Sequence, residues 1–172
     1  GATDVPVLTG FGAFPGVANN PTQTLLEHFS THPQALPRHT RLALLDVDYR
    51  TVGPVLDDLL VDAPAALVLT GFSAQATGIT LEAQASALCA ADKPDVGGFV
   101  PPSGNAGNLA TALDLARLHA LVACDAPCAI SHDAGQYLCN FAYRHALDQV
   151  ARRGLQTQVL FVHVPALTGT PL

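Results

Sequence analysis

The feature that most constrains this chain is the alternation of short apolar runs with longer stretches of helical period. Runs rich in Val, Leu and Ile predict strands at residues 5–8, 42–47, 65–70, 129–131 and 159–164. Each run fits a strand that is buried on both faces of a sheet. Because strands that alternate with helices form parallel sheets covered by helices, the pattern predicts an α/β fold: a three-layer α/β/α sandwich with a mostly parallel central sheet.

Apolar residues that recur every three or four positions predict four helices. They follow Pro21, follow Pro54, and cover residues 109–120 and 136–153. Proline at the first helical position suits the first two helices, because an N–H at that position would make no hydrogen bond within the helix. Residues 86–108 contain too many prolines and glycines for a regular helix, so this stretch is expected to be a functional loop or a covering flap.

Length and composition narrow the class of protein. The 172 residues predict one domain over 1–172. Eight basic against fourteen acidic residues give a net charge of −6, which disfavours nucleic acid as a partner. The apolar runs are far shorter than the ~20 residues that cross a bilayer. The four irregularly spaced cysteines do not form a disulfide framework, so a soluble, cytoplasmic protein with reduced thiols is expected.

The turn at residues 10–16, directly after the first strand, superficially matches a dinucleotide-binding fingerprint. Pro15 stands where the third glycine belongs, so nucleotide binding is not expected. Phe11 and Phe14 fit an apolar slot for a small ring better than a phosphate site, although the alternative that they merely cover the end of the sheet stays open. Asn20 is a natural helix N-cap, and its amide could also hold a polar edge of a ligand.

Two motifs are interpreted as non-functional. Ser131, His132 and Asp133 are consecutive, whereas the members of a hydrolytic triad almost never are, because their side chains must meet. A second set has the residue types of a zinc site but the wrong spacing, so no metal is predicted; it comprises His119, Cys124, Cys128 and His132.

Three other residues could form a mechanism together. Cys139 falls in the first turns of the strongest predicted helix, where the backbone N–H groups favour a thiolate. His163 interrupts an apolar strand, and burying its ring is costly without a partner. Glu82 lies in another apolar sequence, where a lone carboxylate would be equally costly. A cysteine, a histidine and an orienting acid can act together without being close in sequence.

Four segments together carry a resemblance to a known family. They are residues 8–16 with 20–22, residues 79–82 after 70–71, residues 94–95 with Gly98 and Pro101, and residues 131–140 with 161–165. The chain resembles the pyrrolidone-carboxylate peptidases, also called pyroglutamyl-peptidase I. These are cysteine exopeptidases that remove N-terminal pyroglutamate from peptides. The motif from Ala134 to Asn140 is the most specific of the matching parts.

The resemblance implies a set of roles. Cys139 would be the nucleophile, His163 the general base and Glu82 the acid that orients the histidine. Phe11, Phe14 and Asn20 would form the pocket for the pyroglutamyl ring. No cofactor is implied, the partners would be peptides with N-terminal pyroglutamate, and a homo-oligomer is expected.

The sequence departs from the family pattern in several places. Phe72 stands where the family usually has glutamine, residues 74–76 replace Gly-Gly-Arg, and Ala83 replaces an arginine. We therefore count Phe72 among the substrate-binding residues, as the one that could reshape the pocket. The chain also reaches Leu172 soon after the histidine motif, where relatives usually continue into another helix.

Two alternatives stay open at this point. One is a cysteine hydrolase that acts on a different small N-acyl amide. The other is a binding protein on the same scaffold whose catalysis is weakened or lost. Neither is separated from the peptidase by sequence alone, because a fold does not fix a function.

Overall fold

A computed structural model describes residues 3–167 of the chain. The strands are β1 (Pro6–Phe11), β2 (Arg41–Leu45), β3 (Ala66–Phe72), β4 (Ile79–Glu82), β5 (Gln84–Ala85), β6 (Leu109–Ala110), β7 (Cys128–Ser131) and β8 (Gln158–Val164). The helices are α1 (Pro21–Thr31), α2 (Val52–Leu59), α3 (Leu115–Val122) and α4 (Leu138–Arg152), with a short 3-10 helix at Pro33–Ala35. Within this part of the chain, every helix falls short of the length and apolar character that a bilayer crossing requires.

Six strands form the central sheet, in the order β2-β1-β3-β8-β4-β7. Strands β2, β1, β3 and β8 are parallel neighbours. Strand β4 runs antiparallel to β8, and β7 runs parallel to β4. The predicted α/β fold with a mostly parallel sheet is confirmed.

Strand β8 shows how the sheet separates two helical layers. Val159 and Phe161 point into a large apolar cluster that also contains buried residues of α2 and α4. The alternate residues Leu160 and Val162 point into a smaller cluster with α3. Since successive side chains of a strand point to opposite faces, the two clusters lie on opposite faces of the sheet. The predicted three-layer arrangement is confirmed.

Helix α1 packs unusually closely on β1. A Cβ at Gly10 would lie 2.7 Å from the carbonyl oxygen of Thr22, so only glycine permits this approach. Asn20 caps the helix as predicted, because its side chain accepts a hydrogen bond from the N–H of Thr22. The cap fixes the turn that carries Phe11 and Phe14 beside the end of the sheet.

Three details of the sequence prediction are wrong. Helix α2 begins at Val52, so Pro54 is its third residue, a position whose N–H still has no partner within the helix. Helix α3 begins at Leu115, because Leu109–Ala110 pairs instead with Gln84–Ala85. The outer strands β2 and β7 are not buried on both faces, since Leu44 is 46% exposed and Ile130 36% exposed.

Residues 86–108 form an irregular segment, which we call the strap. Its anchor is Asp95, which is 2% exposed and accepts hydrogen bonds from the backbone N–H groups of Tyr49, Gly97 and Phe99 at 2.9 Å each. Burial alone would raise the pKa of Asp95, but these hydrogen bonds lower it below its usual value. The buried carboxylate thus attaches the strap to Tyr49 and closes the turn at Gly97 and Phe99.

Candidate active site

A cleft of about 590 Å³ opens where β3, β4 and β8 meet the beginning of α4. Clefts at the carboxyl ends of parallel strands are the usual place for sites in α/β sheets. Among the residues that line it are Phe14, Phe72, Thr80, Glu82, Lys93, Asp133, Tyr137, Cys139 and His163. The structure therefore gathers the cysteine, the histidine and the acid that the sequence singled out.

Antiparallel pairing between β4 and β8 brings Glu82 to His163. Thr80 lies opposite His163 in this ladder, and Glu82 lies opposite Phe161. Glu82 and His163 are thus diagonal neighbours on the same face of the sheet, within reach of long side chains. His163 Nδ1 lies 3.0 Å from Glu82 Oε1, so the ring N–H donates to the carboxylate. The pair joins residues 81 positions apart in the chain.

Glu82 is held from its main chain as well as through its side chain. It is 2% exposed, and the fully buried Tyr143 donates its hydroxyl hydrogen to the Glu82 carbonyl oxygen at 2.8 Å. Burial raises the pKa of Tyr143 to about 12, so this hydroxyl keeps its proton. Within the described residues, Glu82 Oε2 has no hydrogen-bond partner, which leaves Oε1 and His163 as the contact that stabilises the carboxylate.

Cys139 is the second residue of α4 and is half-buried. Its sulfur lies against Gly71, which is paired with His163 in the sheet. A Cβ at Gly71 would collide with Cys139 Sγ and would lie 2.6 Å from the ring of Phe161. The missing side chain at Gly71 is therefore what lets the sulfur sit directly on the sheet beside the imidazole.

The environment of His163 favours the charged ring. Burial by itself lowers the pKa of this histidine, but its interactions with the Cys139 sulfur and with the hydrogen-bonded Glu82 carboxylate raise it to about 10. An opposite charge at hydrogen-bond distance outweighs desolvation here. A histidine with this pKa is protonated at neutral pH.

A small apolar slot of about 40 Å³ adjoins Cys139. Its walls are Phe11, Phe14, Asn20, Val47, Phe72, Tyr137, Leu138 and Cys139. The rings of Phe14 and Tyr137 are tilted against each other with centroids 5.9 Å apart, and Tyr49 packs edge-on against Tyr137 at 6.0 Å. The structure thus brings Phe11, Phe14, Asn20 and Phe72 together at one slot.

Asn20 lies in this wall with most of its hydrogen-bonding capacity occupied. Its Oδ1 accepts from both the N–H and the hydroxyl of Thr22, at 3.0 and 2.8 Å. Its Nδ2 donates to the Gly12 carbonyl at 3.0 Å. The residue is 2% exposed, so its first effect is to shape the slot, and only one amide hydrogen is left for a ligand.

The motifs that the sequence analysis set aside form local contacts. Ser131 Oγ donates to the Asp133 carbonyl and accepts from its N–H, as in a turn. His119 Nε2 is hydrogen-bonded to the carbonyl oxygen of Cys128 at 2.9 Å. Residues 3–167 contain no cluster of three potential metal ligands.

Sequence reasoning gave no role to two residues of this region. Tyr137 is a wall of the slot and donates its hydroxyl hydrogen to the Pro94 carbonyl at 2.9 Å. Asn140, which is fully buried, exchanges hydrogen bonds of 2.9 Å with the N–H and carbonyl of Ser86. One signal in the sequence could have identified Asn140. Its amide lies on the apolar side of α4, and a buried amide needs hydrogen-bond partners, here from elsewhere in the chain.

Comparison with known proteins gives a consistent result. The sequence model of the family described as "Pyroglutamyl peptidase" matches residues 5–170. The pyrrolidone-carboxylate peptidase of Deinococcus radiodurans is 33% identical over 176 residues, covering 96% of this chain and 80% of the relative. That of Thermococcus onnurineus is 30% identical over 166 residues, covering 92% and 82%.

A solved structure agrees with these relatives. The crystal structure of pyrrolidone carboxyl peptidase from Thermus thermophilus superposes with a TM-score of 0.80 at 29% identity, covering 93% of this chain and 84% of that one. Fold, sequence and the gathered cysteine, histidine and glutamate agree, and the chain belongs to the pyroglutamyl peptidase family of cysteine peptidases.

Proposed function

We propose that this protein hydrolyses the amide bond after an N-terminal pyroglutamyl residue, with Cys139 as nucleophile, His163 as general base and acid, and Glu82 as the acid that orients His163. One observation carries the proposal: a buried Glu82–His163 hydrogen bond of 3.0 Å stands beside Cys139, in the same cleft as an apolar slot. This is the arrangement of an activated nucleophile with a base and an orienting group.

In the first half of the reaction, the proton of the Cys139 thiol already resides on His163, which leaves the sulfur as a thiolate. The thiolate attacks the carbonyl carbon of the pyroglutamyl residue and forms a C–S bond. As the C–N bond breaks, His163 returns the proton to the departing amine. Glu82 stabilises the imidazolium and keeps its Nδ1–H directed at the carboxylate, so that Nε2 faces the sulfur.

The oxyanion of the tetrahedral intermediate needs hydrogen-bond donors. The side chain of Tyr137 does not cap α4, so the first backbone N–H groups of the helix, including that of Cys139, are available for this role. One such donor contributes about 3 kcal/mol in comparable sites. The positive end of the helix acts in the same direction.

Water completes the cycle. His163 takes a proton from a water molecule, whose oxygen attacks the thioester carbonyl. The C–S bond breaks, free pyroglutamate leaves, and Cys139 is regenerated as the partner of protonated His163. The overall change is hydrolysis of one amide by one water molecule.

The slot suits the uncharged lactam ring of pyroglutamate. Its walls are mainly aromatic and aliphatic, and such walls bind a small ring by excluding water. Phe72 supplies a wall that is shared between the slot and the wider cleft. Because Phe72 brings no polar group, we propose that ring shape determines much of the binding.

The same observation supports a second candidate function, which is hydrolysis of a different small N-acyl amide. An apolar slot rejects related rings weakly, whereas a slot built from hydrogen-bonding groups rejects analogues that lack them strongly. A panel of amides with pyroglutamyl, prolyl and cyclopentanecarbonyl groups would separate the two. Preference for the pyroglutamyl member favours the first function.

The decisive experiment is release of a fluorescent amine from a pyroglutamyl conjugate under reducing conditions. We expect turnover by the wild type, loss of turnover in Cys139→Ala, and normal turnover in Cys124→Ala. Cys124 is an exposed thiol whose sulfur donates only to a local carbonyl, so it controls for general thiol effects. Well-folded wild type without turnover, or an active Cys139→Ala variant, would contradict the proposal.

Three broader features belong to the same proposal. One domain is supported by the single six-stranded sheet that unites the described residues. A reducing, cytoplasmic setting is supported by four free cysteines in residues 3–167, because a thiol nucleophile must stay reduced. A homo-oligomer is expected from the family resemblance, and light scattering would test it.

A further inference from the structure

Lys93 is the only lysine in the chain. It belongs to the strap and lines the same cleft as Cys139 and His163. It is not among the residues that line the slot beside Cys139. If the slot holds the pyroglutamyl ring, as proposed above, Lys93 lies in the part of the cleft that receives the departing peptide.

The backbone around Lys93 is fixed at two points to the segment that precedes Cys139. The N–H of Ala90 donates to the Gln136 carbonyl at 2.8 Å. The Tyr137 hydroxyl donates to the Pro94 carbonyl at 2.9 Å. Between these tethers, the N–H of Lys93 closes a turn by donating to the Ala90 carbonyl at 3.2 Å. The base of the lysine side chain is therefore held over the beginning of α4.

The charge of Lys93 is not neutralised by an ion pair. None of the ion pairs among residues 3–167 includes this side chain. Of the carboxylates in the cleft, Glu82 is buried against His163, and Asp133 accepts the N–H of Gly135 in a local turn. An exposed ammonium on the wall of a cleft attracts an anionic group of the substrate.

We propose that Lys93 is a specificity residue that binds a carboxylate on the residue following pyroglutamate. The carboxylate comes either from the free end of a pyroglutamyl dipeptide or from an acidic side chain at that position. Lys93 stays in water, so its contribution is modest and decreases with salt. It acts on the choice of peptide and takes no part in breaking the amide bond.

The test compares four substrates in two matched pairs. Pyroglutamyl-alanine against pyroglutamyl-alaninamide isolates the terminal carboxylate. The amides of pyroglutamyl-glutamate and pyroglutamyl-glutamine isolate the side-chain carboxylate. For at least one pair we expect the wild type to favour the anionic member by about threefold to fivefold in kcat/KM at low salt, as suits an exposed, charge-assisted contact.

Variants assign the preference to Lys93. Lys93→Gln should abolish it while turnover of the neutral substrates changes less than twofold, and Lys93→Arg should retain it. Arg117→Gln is the matched control, because Arg117 is an exposed residue of α3 outside the cleft and the change in net charge is the same. This control should behave as the wild type.

The outcomes separate this inference from the function on which it rests. Normal turnover of neutral pyroglutamyl substrates with no preference for anionic ones overturns the role of Lys93 alone. A preference that persists in Lys93→Gln, or disappears equally in Arg117→Gln, does the same. Failure to cleave any of the four substrates overturns the proposed function, and this inference with it.

Discussion

The two sides of the cleft are built in different ways. On one side, which we call the catalytic wall, the proposed catalytic residues Cys139, His163 and Glu82 rest on the central sheet. Their separation follows from the register of β3, β4 and β8 and from the missing side chain at Gly71. A shift in the sheet would displace the sulfur, the ring and the carboxylate, because each is positioned by one of these neighbouring strands.

The other side, the recognition wall, consists of Phe11, Phe14, Phe72 and Tyr137 with the strap that carries Lys93. Apart from Phe11 and Phe72, which end strands β1 and β3, these residues belong to connecting segments held by a few hydrogen bonds. Apolar contacts of this kind add up in small increments, whereas proton transfer depends on sub-ångström placement. Changes in the catalytic wall should therefore cost far more activity than changes in the recognition wall.

The largest effect is expected for Gly71→Ala, which tests whether the sheet positions the nucleophile. The added methyl group would overlap Cys139 Sγ and the ring of Phe161, and a displacement of about 1 Å at a reacting atom can cost about 100-fold in rate. We expect kcat to fall by at least that factor. Gly107→Ala is the control, because a Cβ there meets no atom within 4 Å. Equal activity of the two variants would refute the argument.

Glu82→Gln tests the proposed orienting acid and should reduce kcat/KM at neutral pH by about 100-fold, the lower end of the range of general acid–base contributions. The carboxylate is one of the groups that raise the pKa of His163 to about 10. Removing it lowers that pKa, so the alkaline limit of the activity profile should move to lower pH. An unchanged profile would show that Glu82 does not act through His163.

The same pair predicts the pH dependence of stability. Since the folded pKa of His163 is raised above its ordinary value of 6.5, its contribution is complete below about pH 6.5 and is lost as pH rises through about 10. Wild type should therefore exceed Glu82→Gln in free energy of unfolding at pH 7, and the difference should shrink at pH 10.5. Urea denaturation at both values measures it, and a constant difference would contradict the pairing.

Asn140→Ala tests the attachment of the strap to α4. The change leaves the N–H and carbonyl of Ser86 without their partners, which costs about 1–3 kcal/mol for buried backbone groups. We expect that loss in urea unfolding, with less than a tenfold loss in kcat/KM for neutral substrates. Ser103→Ala is a milder control, since Ser103 bonds to Cys89 at an exposed place on the strap. If the loss in kcat/KM, expressed in kcal/mol, exceeded the loss in free energy of unfolding, Asn140 would belong to the catalytic wall.

Phe72→Leu should have the smallest effect. Leucine keeps the wall apolar but offers a smaller contact surface, a loss of about 1 kcal/mol at ~25 cal/mol per Å² of buried apolar area. We expect KM to rise by about threefold to tenfold while kcat changes less than twofold. Phe99→Leu, which alters a ring beneath Arg50 outside the slot, should leave both constants unchanged. A fall in kcat with constant KM would place Phe72 in the chemistry and weaken the contrast between the two walls.

Local patterns were sufficient for the long elements of the fold. The strand at 159–164 and the helix at 136–153 were predictable, because an apolar run and a helical period of that length have few alternatives. The asparagine cap of α1 was equally predictable from the residue types alone. These are features that residues impose on their immediate neighbours.

Elements defined by distant partners were not predictable. Strand β4 has four residues, too few to show a period, and it is a strand because β8 and β7 lie on either side of it. The start of α3 was misplaced because Leu109 pairs with Ala85. The distance from Glu82 to His163 depends on the same long-range pairing. The sequence therefore identified both residues as candidates but could not predict that their side chains are in contact.

The position of β8 also has a consequence for how the protein matures. This strand is the last in the described part of the chain, yet it lies between β3 and β4 in the middle of the sheet. During synthesis from the amino end, the two halves of the sheet stay unjoined until residues 158–164 leave the ribosome, since folding must wait for such non-local pairing. Insertion of that strand also delivers His163 to Glu82 and Cys139. On the proposed mechanism, a nascent chain therefore assembles its three catalytic groups in the same step that closes its sheet.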